Sequence, residues 1–447
     1  MGKMNKYSDN NKSVAFLTLG CKVNSYESDA MQRLFEEAGY QIKEFSEIAD
    51  VYVVNTCTVT NIADRKSRQM LHKAKKLNRD SVVVAVGCYV QASKEALEAD
   101  EAIDLVVGNN QKQNIVSLVE SYFEDNNLRE AYVDISQERN YEAMTINGAG
   151  AKTRAYIKVQ DGCNQFCSYC IIPYTRGRVR SRNLIEIVTE ITGLVQAGYK
   201  EVVLTGIHLS SYGIDFDADT TLLTLIKAIS LIEGLERIRL GSLEPRIVTE
   251  ELVSVLSKNK KFCPHFHLSL QSGCNETLKR MNRRYSAEEY YDKCCLIREY
   301  FDKPAITTDI IVGFPQETET EYDTTVEFVK KVEFAQIHVF KYSMRKGTKA
   351  AEMAGQVNDS IKHERSEKLI ALGNELREKY ESSFLGTKQS ILIEESVTIR
   401  EKEYQIGHNE RYVKLAVESE KDLTNQIVEV SVKSKMDGDL LLCEISN

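Results

Sequence analysis

Two rhythms of apolar positions divide the chain. Between residues 14 and 122 short apolar runs alternate with longer amphipathic stretches. Residues 14–19, 51–55, 82–86 and 105–107 read as strands, and 25–38, 62–77, 91–97 and 115–122 as the helices that follow them. Alternation of this kind predicts a parallel α/β sheet. Residues 137–153 are small, polar and aperiodic, and read as a linker. The alternation then restarts, with strands expected at 155–159, 201–204, 237–240, 265–270, 305–312 and 336–340. Helical stretches separate them, among them 184–197, 221–232 and 319–332. These six βα units fall short of a closed (β/α)8 barrel, so a partial, TIM-like (β/α)6 barrel is expected, its open side able to admit a large substrate. Residues 359–382 read as one long charged helix. Beyond Gly386 the runs become short (389–395, 396–403, 412–417 and 426–433) and predict a small all-β module of OB-like size. The fold class is α/β, with an N-terminal parallel-sheet domain at 1–140, a central partial barrel at 150–380 and a C-terminal β-barrel at 384–447.

Length and composition fit this division. A chain of 447 residues holds two to four domains with ample core. Eleven cysteines and no signal peptide point to a reducing, cytoplasmic compartment, where clustered thiols read as metal ligands. The first residues carry no apolar h-region, and Lys6 stands where a myristoylation signal needs Ser or Thr. No apolar run is long enough to span a bilayer. A net charge of −8 argues against a wholesale nucleic-acid coat, although a local basic patch suffices for an RNA-binding face.

The candidate chemistry begins at residues 161–170, D-G-C-N-Q-F-C-S-Y-C. Cys163, Cys167 and Cys170 stand in a C-x3-C-x2-C loop after the first strand of the central domain, at the mouth where barrels carry out chemistry. Three thiolates hold three corners of an iron–sulfur cube and leave the fourth iron open to a substrate or cofactor. Zinc is the rival metal, but structural zinc takes four Cys or His ligands, and no His or fourth Cys lies near this loop.

A second set is spread over the first domain. Cys21, Cys57 and Cys88 each sit just past the end of a strand, 36 and 31 residues apart, about one βαβ unit per gap. They should meet at one edge of one sheet, where open α/β folds bind ligands. Coincidence among buried cysteines is the alternative.

Several charged and polar segments accompany these sets. Arg176, Arg178, Arg180 and Arg182 alternate directly after the 163–170 loop, a pattern that suits phosphate. The helix after Cys57 carries Arg65, Lys66, Arg68, Lys73, Lys75, Lys76 and Arg79, either a solvated face or a phosphate-binding one. Lys388, Arg400, Lys402, Arg411 and Lys414 make the C-terminal module basic, as in RNA-holding barrels. Polar, glycine-bearing segments at 205–213, 241–245, 269–273 and 308–317 suit a small zwitterionic cofactor bearing a ribose. His265 and His267 share a strand face and read as core or edge residues, while Cys263, Cys274, Cys294, Cys295 and Cys443 read as structural.

The 163–170 spacing resembles that of the radical S-adenosylmethionine (SAM) superfamily. With T-L-G-C-K-V-N-S around Cys21, N-T-C-T-V-T around Cys57, V-G-C-Y around Cys88 and D-G-C-N-Q-F-C-S-Y-C-I-I-P-Y-T-R-G-R after 160, nearly the whole chain resembles its methylthiotransferase family. The C-terminal module is similar to that family's RNA-binding TRAM domain. The forms G-C-K-V-N-S, G-I-H-L-S-S-Y-G at Gly206 and G-H-N-E-R-Y at Gly407 favour the branch acting on N6-threonylcarbamoyladenosine (t6A) beside the tRNA anticodon.

The resemblance implies two 4Fe–4S clusters, one on Cys163, Cys167 and Cys170 that binds SAM and one on Cys21, Cys57 and Cys88 that carries sulfur. A radical made from SAM would remove hydrogen from C2 of the adenine, chemistry delegated to the cofactor rather than to a side-chain acid or base. A second SAM would supply the methyl group. It also implies a SAM site lined by Gly206, Glu244, Ser269 and Asp309 with the Tyr169 backbone near the adenine, a tRNA anticodon stem-loop as substrate, and an electron donor of flavodoxin or ferredoxin type. An Arg or Lys is the natural partner for the threonylcarbamoyl carboxylate, with Arg176–Arg182 and Arg345 as candidates. The same chemistry on isopentenyladenosine or on a ribosomal-protein aspartate is one rival reading. An iron–sulfur RNA-binding or electron-transfer protein without SAM turnover is another.

Overall fold

A computed structural model describes residues 12–125, 130–146, 153–216, 219–436 and 438–446. In the first domain β1 (Ser13–Thr18), β2 (Gln41–Lys43), β3 (Val51–Thr56), β4 (Val82–Gly87), β5 (Leu105–Val107) and β6 (Glu130–Ala131) form one parallel sheet in the order β2-β1-β3-β4-β5-β6. β3 (VYVVNT) and β4 (VVVAVG) are buried at every position. Helices cover both faces, which is why these strands are runs rather than alternations. α1 (Lys22–Glu37) packs Ala30, Met31 and Phe35 on one face; α2 (Asn61–Leu77) packs Leu71 and Ala74 on the other. The sheet order reverses between β1 and β3, so the loops leaving those strands diverge and open a crevice at their carboxyl ends.

The differences from expectation are local. The edge strands β2 and β6 are too short to leave a hydropathy signal. The helix expected at 91–97 is two, α3 (Cys88–Ala92) and Lys94–Glu98, broken where Ser93 leaves helical geometry at φ −144°. Of the expected linker, 147–152 lie outside the described residues. Its earlier part is irregular but packed: Met144 is buried and its carbonyl accepts from Tyr26 Oη at 2.6 Å.

The central domain contains all six expected strands: β7 (Arg154–Asp161), β9 (Glu201–Gly206), β10 (Arg237–Leu240), β11 (His265–His267), β12 (Ala305–Val312) and β13 (Gln336–Lys341). A short β8 (Arg180–Ser181) runs antiparallel beside β7. Two hydrogen-bonded groups, β10-β9-β7-β8 and β11-β12-β13, are linked by the bridges Ile238–Phe262 and Leu243–Leu268 into one arc. β11 stops earlier than expected, since the chain turns out of extended geometry and Gln271 takes φ +71°. The helix Asp359–Ser382 covers β13, and it comes so close at Gly373 that a Cβ there would lie 2.5 Å from Ile337 Cγ1.

The C-terminal module is a closed barrel of five strands rather than the four expected, ordered β14-β15-β16-β18-β17. β14 (Lys388–Ile399) continues through the predicted break and turns at Arg400–Glu401, both at positive φ, into β15 (Lys402–Asn409). β16 (Lys414–Glu418), β17 (Ile427–Lys435) and β18 (Leu441–Ile445) complete it. Among the described residues no helix is long and apolar enough to cross a membrane.

Candidate active site

Cys21, Cys57 and Cys88 lie near one another at the crevice beyond β1 and β3, close enough for each to feel the others' charge. Cys21 caps the start of α1, Cys57 follows β3, and Cys88 opens α3. Glycine permits the approach: at Gly20, with φ +103°, a Cβ would lie 2.9 Å from Cys57 Cβ. Cys21 is exposed, whereas Cys57 and Cys88 are buried. Burial pushes the Cys57 thiol up to about 11; a backbone amide opposes this, and the neighbouring Cys88 and Cys21 add to it.

The second set hangs on the loop after β7. A Cβ at Gly162, with φ +70°, would fall 1.8 Å from the Arg178 carbonyl, so the loop folds back only with glycine there. Cys163 N–H donates to the Gly177 carbonyl at 3.0 Å and Cys170 N–H to that of Cys167 at 3.0 Å. Burial pushes Cys163 up to about 11 and Cys170 up to about 12, with Cys167 adding to both. Thiols held protonated must release protons on taking a metal. Among the described residues no three His, Cys, Asp or Glu side chains converge on a single ion. Sulfur donors in groups of three suit thiolate-held iron–sulfur clusters better than four-coordinate zinc.

A cleft opens beside Cys170. Val59 and Thr60, just past Cys57, form one wall; Tyr169, Cys170, Ile171 and Ile172 form another. The ends of β12 and β13 and the loop after them supply Asp309, Ile311 and residues 340–343. Of the expected SAM-binding residues, Tyr169 and Asp309 line this cleft, while Gly206, Glu244 and Ser269 lie at neighbouring strand ends outside its lining. Glu244 is ion-paired to Arg246 at 2.9 Å, and Asp309 to His267 at 3.2 Å. Gly206 lies so near Gln160 that a Cβ would meet its Oε1 at 2.9 Å. The Ser269 carbonyl accepts from Tyr285 Oη at 2.6 Å.

The phosphate role expected for the alternating arginines is corrected at three of the four. Arg176, Arg180 and Arg182 are fully buried. Arg176 binds Glu27 and Asp161, and its Nε donates to Cys88 Sγ at 3.1 Å. Arg180 donates to the carbonyls of Arg176 and Arg178, and Arg182 pairs with Glu190. A guanidinium already neutralised in the interior is not available to an RNA phosphate. Arg178 is half-buried and stacks over Phe166, 4.5 Å from the ring centre. Arg345 is committed as well, to Asp64, Thr58 and Asn61. Sequence reasoning missed Arg283, whose Nη1 donates to Cys167 Sγ at 3.2 Å; nothing in its local spacing signals this.

Comparison with known proteins accords with this geometry. Residues 13–108 match the family described as Uncharacterized protein family UPF0004, and 157–329 match the Radical SAM superfamily. The Threonylcarbamoyladenosine tRNA methylthiotransferase MtaB of Bacillus subtilis (strain 168) is 41% identical over 421 residues, 94% of this chain and 93% of that protein. The chain belongs to the radical SAM methylthiotransferase family. Radical SAM methylthiotransferases similar to it include the MtaB of Aquifex aeolicus (strain VF5), 40% identical over 87% of this chain and 94% of that one. The tRNA-2-methylthio-N(6)-dimethylallyladenosine synthase of Thermoanaerobacter sp. (strain X514) is 37% identical over 84% of this chain and 81% of that one. In fold, this methylthiotransferase resembles the radical S-adenosylmethionine methyltransferase TsrM from Kitasatospora setae, with a TM-score of 0.56 at 15% identity over 76% of this chain and 74% of that one. As a member of the family it is an enzyme that uses SAM and 4Fe–4S clusters.

Proposed function

We propose that the enzyme converts t6A at position 37 of tRNA to its 2-methylthio derivative. The observation that carries this reading is a cleft walled by Cys170 and its neighbours and by Val59 and Thr60, two and three residues past Cys57. Cys163, Cys167 and Cys170 would hold the SAM-binding cluster, and Cys21, Cys57 and Cys88 the second. When bound, the clusters and SAM supply the reducing electron, the hydrogen abstraction, and the sulfur and methyl group. The chain's own part is geometric. Tyr169 and Asp309, with Gly206, Glu244 and Ser269 on the adjoining strand ends, would shape the SAM pocket. Ile171, Ile172, Ile311 and Phe340 give the cleft apolar walls that exclude water from a nucleobase. Arg283 and Arg176 hold one thiol of each set by hydrogen bonds.

The t6A branch is favoured over the dimethylallyl branch by the higher identity and coverage of the MtaB relatives. For the anticodon stem-loop, the exposed face of α2 bearing Arg65, Lys66, Arg68, Lys73 and Lys76, with Arg79 just past its end, is the natural phosphate track, since α2 starts at the cleft wall. Arg178 remains a candidate contact. On the C-terminal barrel Lys402 pairs with Glu418, and Arg411 binds the carbonyls of Asp302 and Lys303, so the latter serves docking. A flavodoxin- or ferredoxin-type donor and a cytoplasmic setting complete the proposal.

Nucleosides from a deletion strain lacking any second such enzyme should contain t6A and lose its 2-methylthio form by mass spectrometry; persistence of that form overturns the reading. Reduced holoenzyme should release 5′-deoxyadenosine from SAM, and Cys167→Ala should not. Anaerobic protein should carry about eight irons, falling to about four in Cys57→Ala, as two 4Fe–4S centres require.

A further inference from the structure

We infer that Lys341 is the residue that recognises the carboxylate of the threonylcarbamoyl group, an assignment that rests on the t6A reading above. Lys341 ends β13 and lines the cleft beside Cys170 and the segment after Cys57. It is the only Lys or Arg among the lining residues. Arg176 and Arg182 are spent in buried ion pairs, Arg283 on Cys167 and Arg345 on Asp64, while Arg178 and Lys22 stand outside the cleft lining. Among the described residues Lys341 makes neither hydrogen bond nor ion pair, and it is exposed. Asp359, whose carboxyl feels the Lys341 charge, is already bound to Lys362 at 3.0 Å. Asp309, the carboxylate in the cleft lining, faces His267.

The surroundings make an unpaired ammonium informative. Most of the lining is apolar, including Val59, Ile171, Ile172, Ile311 and Phe340. Thr60, which caps α2, also lines the cleft, and the helix start is tied to the segment after Lys341 by the Asn61 N–H to Ser343 Oγ bond at 3.1 Å. An adenine whose N6 substituent ends in a carboxylate presents an apolar ring and one anion. A cleft with apolar walls and an unspent cation is complementary to it. A dimethylallyl substituent, which carries no charge, gains nothing from Lys341, so this lysine would set the choice between the two substrate classes.

The test compares two anticodon stem-loops, one with t6A and one with the primary amide of the same side chain. Holoenzyme without reductant should bind the acid about tenfold more tightly than the amide, the scale of one charge-assisted hydrogen bond at a half-open site. Lys341→Met should bind both alike, near the wild-type affinity for the amide, and Lys341→Arg should restore most of the preference. Under turnover, KM for the acid should rise in Lys341→Met toward that for the amide. Equal binding of acid and amide by wild type overturns the assignment and needs no variant. A preference retained in Lys341→Met overturns the assignment too. If wild type methylthiolates neither stem-loop, the t6A reading itself has failed.

Discussion

Arg176 joins the two halves of the site through one side chain. It follows the SAM-type cysteine loop, yet its Nε donates to Cys88 in the other domain and its Nη1 to Glu27. Glu27 also takes Lys158 at 2.8 Å and lies 3.4 Å from Lys112. Burial alone would raise its carboxyl, but Arg176, Lys112 and Lys158 outweigh that and hold it below the usual range. Arg176→Ala leaves Glu27 and Asp161 short of positive charge in the interior. The expected cost is about 3–5 kcal/mol, as when one partner of a buried pair is removed. Calorimetry should show the lower melting temperature, and iron analysis should show preferential loss of the first-domain cluster. Retention of both would separate Arg176 from that site. The sequence made the six thiols legible, because spacing after strands encodes where they converge. It did not make the arginines legible: an alternating run reads as a phosphate comb, and the acids that neutralise it come mainly from Glu27, far upstream, and from Asp161 and Glu190 on either side of the run. Lys341 and Arg283 stand in no pattern at all.

At the level of elements, Glu201 at the start of β9 is the anchor for docking the C-terminal barrel. Arg154 and Arg239 reach it at 3.1 and 2.9 Å, and Arg237 at 3.9 Å. These arginines then extend across the seam, Arg154 to Glu394, Arg237 to the carbonyls of His408 and Ser390, and Arg239 to those of Asn409 and Glu410. Burial would raise the Glu201 carboxyl, yet Arg239 and Arg154, with help from Arg237, hold it at about 2. A depressed carboxyl contributes stability that is complete above its ordinary value near 4.5 and lost as pH falls through about 2. The contribution is about 3 kcal/mol. Pepsin cleavage near Gly386 should therefore be faster in Glu201→Gln than in wild type at pH 5, with the difference closing by pH 2. A constant difference across that range would remove Glu201 from the docking. Elements of this kind were mostly readable from hydropathy, because parallel strands buried on both faces leave unbroken apolar runs. The barrel was misread where Arg400 and Glu401 take positive φ without the Gly or Asn that would announce a turn.

The whole molecule sets one separation, that between the two thiol sets, and no single folding unit contains both. The seam is fastened at several places, Tyr26 to Glu190 and Asn109 to Thr175 among them, and two fasteners bear on the thiols. One is the buried group around Glu27, Asp161 and Arg176. The other lies at the cleft itself, where Arg345 binds Asp64 at 2.7 Å and Thr58 at 2.6 Å, and Asn61 N–H donates to Ser343 Oγ at 3.1 Å. Thr58 follows Cys57 directly, so the second fastener ties the loop of one thiol set to the segment after β13 that walls the cleft. Loosening it should not disturb SAM cleavage, which needs only the central domain's own loop and strand ends. It should let the first-domain thiols drift from the nucleobase, so that hydrogen is abstracted without sulfur arriving. Arg345→Met is therefore expected to keep its full iron content and its rate of 5′-deoxyadenosine release. The yield of methylthiolated RNA per 5′-deoxyadenosine should fall about tenfold, in line with the steep loss that a displacement of about 1 Å brings to a positioned reaction. An unchanged ratio would mean that the seam's other fasteners hold the two domains in register. A parallel fall in both products would mean that Arg345 supports the SAM pocket rather than the spacing between the sites.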